Sequence, residues 1–267
     1  MEHSSPKFRR LDGLRQRFPR QATWLAARFS PEGYLGLHLT IGVLTLVAMA
    51  WIFGSIAEDV VTRDRIVLID QRLVDWFNLH GTPAFFQAMS VVTYFGSGTW
   101  QAIVTIVAAA VLLWRRAWYR LLILLLVIPL GGVVDLLLKL AFQRARPVVA
   151  HPLLTLDTYS FPSGHTMGAT LIYSLAAVLG FYAVRNWKWR IWIVIAASLA
   201  ICMVGLSRIA LGAHFLTDVL AGIVAGLAWL ALCVTSVETL RRHRLARSAG
   251  LNGVGTAQTG AGRAHFD

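Results

Sequence analysis

At 267 residues, 57% hydrophobic and only 14% charged, the chain is too apolar for a soluble domain of ordinary composition. Its formal net charge of +12 could suit a nucleic-acid binder, but the basic residues sit in short clusters between long apolar runs, which argues against that class. The two cysteines, Cys202 and Cys233, lie inside apolar runs and read as buried free thiols, not as a disulfide framework or a metal cluster.

Residues 1–33 are polar and basic and are expected to form a cytoplasmic N-terminal arm, with 1–30 as an amphipathic segment on the membrane surface. No apolar core lies near the start, so the first span is expected to act as an uncleaved anchor. Runs of about 20 apolar residues match a bilayer crossing. Six are read here, at 34–57, 94–114, 118–139, 164–184, 190–208 and 215–238. Within the uncharged stretch 84–114, Gly96-Ser97-Gly98 is a break, so 84–95 is taken as interfacial. Between the first two spans, Ile69, Leu73, Trp76 and Phe77 have helical spacing, and 66–80 is expected to be a short interfacial helix. In the sixth span Gly222 and Gly226 form a Gly-xxx-Gly pair, the mark of close helix packing. Residues 239–267 are expected to be a cytoplasmic tail, disordered where Gly and Ala dominate. The fold class is therefore all-α: a six-transmembrane-helix bundle over 34–238, with short interfacial helices.

Charge sets the orientation. Of the 25 Lys and Arg residues, 18 fall in the two termini, 115–120 and 185–190, and 7 fall in 58–98, 139–163 and 207–214. Cytoplasmic loops carry the excess of basic residues. Both termini are thus expected in the cytoplasm of an integral cell-membrane protein, with the other loops on the periplasmic or extracellular side. The basic arm is read as a topology signal that touches lipid headgroups.

Polar residues gather at the outward ends of four spans. Lys139 closes the third, with Arg144 and Arg146-Pro147 after it. FPSGH, with Ser163, Gly164 and His165, opens the fourth; Ser207-Arg208 closes the fifth; His214 and Asp218 open the sixth. Charged groups at such depth are expensive and are commonly functional. Three cations, Lys139, Arg146 and Arg208, together with the N–H groups of a Ser-Gly helix start suit a phosphate group. His214 and Asp218 are four residues apart and share a helix face, so the carboxylate can orient the imidazole for attack on phosphorus. His165, from another span, can protonate the leaving oxygen. A single cation at a span end is ordinarily a snorkelling anchor, and Arg144 can be read that way. Asp135 is read as a partner of Lys139 or of a facing donor. Anchoring does not explain the whole set on one side.

The blocks KLAFQRARP (139–147), PSGH (162–165) and SRIALGAHFLTD (207–218) resemble the three-part signature of the type-2 phosphatidic acid phosphatase and vanadium haloperoxidase superfamily, K-x6-R-P, P-S-G-H and S-R-x5-H-x3-D. Every signature position is filled. The resemblance implies that Lys139, Arg146, Ser163, the Gly164 backbone and Arg208 bind phosphate, that His214 forms a phosphohistidine, that Asp218 orients it and that His165 protonates the leaving group. It implies no metal and no cofactor. The expected activity is that of an integral membrane lipid phosphatase acting on phosphatidic acid, phosphatidylglycerophosphate or undecaprenyl diphosphate, the last two types being favoured over lipid A. The alternatives are a lipid phosphotransferase using the same intermediate, a haloperoxidase, or a non-enzymatic lipid transporter. The expected partners are a lipid phosphate and membrane lipids, with no nucleic acid.

Overall fold

The computed structural model describes residues 37–63, 65–148 and 158–261. The expected N-terminal arm, 1–33, lies outside the described residues. Among those described there are eight helices and no strand: α1 Leu37–Thr62, α2 Arg65–His80, α3 Pro83–Tyr94, α4 Gly98–Trp114, α5 Trp118–Phe142, α6 Gly164–Ala183, α7 Trp187–Ala210 and α8 Leu216–Ala261. Six stretches are long and apolar enough to cross a membrane: Leu39–Thr62, Pro83–Trp114, Trp118–Phe142, Gly164–Ala183, Trp187–Ala210 and Leu216–Leu245.

The chain divides into two units, residues 45–234 and residues 1–44 with 235–267. In the second, α8 runs on as helix to Ala261, across most of the segment expected to be a disordered tail. The local reason near its start is that Thr239–Ser248 contains no Pro or Gly, and that Glu238 accepts from Arg241 and Arg242 one turn on.

The larger unit is a helical bundle around one apolar core, in which Val127, Met167, Leu171 and Leu230 are buried side by side. Helix ends follow local chemistry. Thr82 caps α3 ahead of Pro83, and Ser97 caps α4 by accepting from the Trp100 N–H. α5 stops where Gln143 turns left-handed and its N–H returns to the Lys139 carbonyl. Pro129 interrupts the α5 ladder, and the nearby Leu126 carbonyl accepts the Trp229 indole N–H at 3.1 Å.

The break at 95–97 differs in consequence from its reading as the edge of an interfacial segment. α3 and α4 together form one apolar stretch, Pro83–Trp114. The Ser97 cap starts a second helix within it, and Gly96 and Gly98 reach the central cavity. α2 also differs in detail. It buries Asp70 and Val74, while Ile69 and Trp76 from the expected apolar stripe are about half exposed. Cys202 is exposed and Cys233 buried, and both are free.

Gly222 is where the packing between α8 and α6 sets the site. A Cβ there would lie 2.8 Å from the Ser163 carbonyl oxygen and 3.2 Å from the Met167 nitrogen. Only glycine lets α8 approach the first turn of α6 this closely. The Ser163 N–H then donates to the Asp218 carbonyl at 3.0 Å, which joins the starts of the two helices.

Candidate active site

Five short segments converge at one end of the bundle. Lys139 stands in the last turn of α5, and Arg144 and Arg146 follow in the irregular chain beyond it. Gly164 and His165 begin α6, and Arg208 lies in the last turn of α7. Gly212, at φ 65, turns the chain back so that the N–H groups of Ala213 and His214 both donate to the Arg208 carbonyl. That turn holds His214 just ahead of α8, whose first turn carries Asp218. A residue with a Cβ would strain that φ.

These segments enclose a cavity of about 350 Å³. Lys139, Arg146, Gly164, His165, Arg208 and His214 all line it. Asp218 and Ser163 are fully buried and do not. The Ser163 hydroxyl accepts from Thr166 Oγ1 at 3.0 Å, and it does not cap its own helix. The N–H groups at the start of α6 therefore have no side-chain cap, and the positive end of the helix dipole stands at the cavity.

The cations are held by neutral or acidic partners. Arg146 donates to the Ala213 carbonyl at 2.7 Å and to the Thr158 carbonyl and hydroxyl, both at 2.8 Å. Arg208 donates to Thr93 Oγ1 at 2.9 Å, and its buried Nε has no protein partner. Lys139 donates to both oxygens of Asp135, at 2.7 and 2.6 Å, and to the Pro162 carbonyl at 2.9 Å. Asp135 thus pairs with Lys139, one turn along α5. Burial in an apolar surround lowers the Arg146 pKa, against the pull of Asp218.

His214 is 2% exposed. Its Nε2 lies 3.2 Å from Arg146 Nη1. A guanidinium can only donate, so Nε2 is the acceptor and the proton of the neutral ring sits on Nδ1. Nδ1 is 3.5 Å from Asp218 Oδ2, beyond a normal hydrogen bond, and has no other partner. Catalytic hydrogen bonds often tighten only when substrate is bound. Burial is the main cause that lowers the His214 pKa to about 4; Asp218 opposes it, and Arg208 and Arg146 add to it. The imidazole is therefore neutral at ordinary pH, and its Nε2 lone pair is turned to Arg146 at the cavity.

Several residues at the site carry no mark in the sequence motifs. Gly96, Gly98 and Gln101 line the cavity from the α3–α4 break, and Gly131, Gly132 and Asp135 line it from α5. The Gly-Ser-Gly interruption of an apolar run was the available signal for the first group. Thr93, Ser160, Thr217 and Asp70 bond to site residues without lining the cavity.

A family model described as the PAP2 superfamily matches residues 120–242. The chain is 32% identical over 167 residues to phosphatidylglycerophosphatase B of Bacillus subtilis (strain 168), covering 61% of this chain and 80% of that protein. Among solved structures it resembles the crystal structure of a transmembrane PAP2-type phosphatidylglycerolphosphate phosphatase from Bacillus subtilis, with a TM-score of 0.62 and 28% identity over 71% of this chain and 94% of that one. It also resembles Aquifex aeolicus LpxE, with a TM-score of 0.50 and 25% identity over 62% of this chain and 94% of that one.

Proposed function

Because the chain belongs to the PAP2 superfamily, we propose that it is a lipid phosphatase in which His214 carries the phosphoryl group as a phosphohistidine. It is an integral membrane protein, with six helices long and apolar enough to cross a bilayer. The observation that carries the mechanism is the His214 ring. Its Nε2 lone pair borders a cavity lined by Lys139, Arg146 and Arg208, and its protonated Nδ1 faces Asp218.

The lipid phosphate enters with its oxygens against the three cations and the N–H groups that open α6. Nε2 attacks phosphorus. The P–N bond forms as the bond to the lipid oxygen breaks, and His165 gives that oxygen its proton. Asp218 accepts from Nδ1–H and stabilises the ring as it becomes positive. A water then attacks phosphorus, His165 takes its proton, and the P–N bond breaks to release inorganic phosphate. Phosphatidylglycerophosphate and undecaprenyl diphosphate are the favoured substrates, and the name of the Bacillus subtilis relative supports the first. A panel of purified lipid phosphates, assayed for phosphate release, tests the reading. Release should be seen in water without an acceptor lipid, since transfer that needs an acceptor would mark a phosphotransferase. It should survive EDTA, because cationic side chains meet the phosphate charge. Loss in EDTA that magnesium or zinc restores would overturn the mechanism.

The charge asymmetry supports both termini in the cytoplasm and the site on the outer side. A cysteine at the exposed position 80, in a chain lacking Cys202 and Cys233, should react with an impermeant thiol reagent from outside intact cells. One at the exposed position 185 should not. The reverse pattern would place the cavity in the cytoplasm.

A further inference from the structure

We infer that Arg144, anchored by Asp70 of α2, is a positioning clamp that holds the Asp218 carboxylate in place behind His214. The inference rests on the role proposed above for the His214–Asp218 pair.

Arg144 stands two residues before Arg146 but does a different job. Arg146 lines the cavity and Arg144 does not. Its Nη1 donates to Asp218 Oδ1 at 2.5 Å and to Thr217 Oγ1 at 2.7 Å. Its Nη2 donates to Asp70 Oδ2 at 2.9 Å, and its guanidinium lies over the Phe215 ring, 4.4 Å from the centroid. The planar fork is thus spent on two carboxylates and a hydroxyl, off the cavity wall.

Asp70 is fully buried, one turn before the buried Val74 of α2. Besides Arg144, it accepts from the Thr217 N–H at 2.9 Å and from the Thr217 hydroxyl. Thr217 lies in the first turn of α8, so Asp70 satisfies an open N–H at that helix start and places negative charge at the favourable end of its dipole. The second oxygen of Asp218 is also fixed. Oδ2 accepts from the Phe215 N–H at 2.9 Å and from the Ser160 hydroxyl. Ser160 in turn donates its backbone N–H to the Arg144 carbonyl at 2.8 Å. Arg144 therefore reaches one Asp218 oxygen directly and the other through Ser160.

Charge makes the clamp necessary. Asp70 and Asp218 are both fully buried, and Arg144 is the cation that bridges them. Without it, the two buried carboxylates would lose the cation they share, and Asp218 would turn away or take up a proton. Either change removes the acceptor that sets the His214 ring. Orientation of the nucleophile would suffer, and phosphate binding would not.

The test is steady-state kinetics of the purified full chain in detergent with phosphatidylglycerophosphate, or whichever lipid phosphate the panel shows to be turned over, for Arg144→Ala, Arg144→Lys, Asp70→Asn and His214→Ala. Arg144→Ala should lower kcat per folded molecule by about 10–100-fold, the scale for removing a residue that orients a catalytic group. KM and the inhibition constant of inorganic phosphate should stay within about twofold. Arg144→Lys should recover part of the lost kcat, because an ammonium can still reach one carboxylate. Asp70→Asn is nearly isosteric and should show the same kcat-only loss at smaller size, so it keeps the test open should Arg144→Ala fold poorly. Unchanged kcat in Arg144→Ala or in Asp70→Asn would overturn the clamp. So would a loss carried by KM and by phosphate inhibition, which would make Arg144 a phosphate ligand. If His214→Ala retains turnover, the phosphohistidine reading fails. If His214→Ala is inactive and Arg144→Ala is native-like, only the clamp fails.

Discussion

His214→Ala should end turnover of every lipid phosphate the protein accepts, with a loss of about 10⁴–10⁶-fold, the scale at which removing a covalent nucleophile leaves only binding and electrostatics. The reason is geometric. Nε2 is the ring nitrogen on the Arg146 side of the cavity, while Nδ1 is buried toward Asp218. The cations proposed to hold the phosphate come from α5, α7 and the chain after α5, and Arg146, which touches the imidazole, is also held by Thr158 and Ala213, so their placement does not hang on the ring. Inorganic phosphate should therefore still bind the inactive variant. The native pH profile should carry the same signature. Burial holds the His214 pKa near 4. The ring is neutral and nucleophilic above that value and protonated below it, so its titration should cut kcat/KM only as pH falls toward about 4. A variant that turns over lipid at the native rate would mean that water attacks phosphorus directly.

His165→Ala should show a loss that depends on what leaves. A lipid phosphomonoester expels an alkoxide, which needs a proton. A lipid diphosphate expels a phosphate, which leaves more readily without one. General acid catalysis contributes about 10²–10⁴-fold where it is needed. His165 lines the same cavity as His214 and the three cations, so it can also touch phosphate and add a loss common to both substrates. The ratio of the two losses is the informative quantity. A much larger loss on the monoester identifies the general acid. Equal losses, with chemistry limiting, would leave His165 as a phosphate-binding residue, and a larger loss on the diphosphate would contradict the assignment.

The cationic and histidine part of the cavity lining was legible in the sequence because those residues stand at span ends, where polar groups are costly and cannot be mistaken for core. Lys139, Arg146, His165, Arg208 and His214 come together as their positions imply. The residues behind them were harder to read. Asp70 and Thr217 are 147 positions apart, and no periodicity within 66–80 marks position 70 as the buried one. Of the expected stripe Ile69, Leu73, Trp76 and Phe77, the first and third are about half exposed while Leu73 and Phe77 pack beside Val74, and the fully buried positions are Asp70 and Val74. Arg144 fitted the pattern of a snorkelling anchor because its two carboxylate partners lie on other helices. Ser163 is marked in the sequence with the phosphate ligands, yet its side chain is buried against Thr166 and off the cavity wall. Its contribution to the site is its position as the residue before an uncapped helix start. The break at Gly96-Ser97-Gly98 was visible as an interruption, but that it brings Gly96 and Gly98 to the cavity follows only from the packing of α3 and α4.

The most direct test of the phosphohistidine is to catch it. Protein mixed with a lipid phosphate and quenched in alkali, where a phosphorus–nitrogen bond on histidine survives, should yield phosphate on the peptide that contains His214. The adduct should form before inorganic phosphate appears and be absent from His214→Ala. Phosphate found on another residue, or steady release with no adduct in the native protein when hydrolysis of the intermediate is made rate-limiting, would contradict the account.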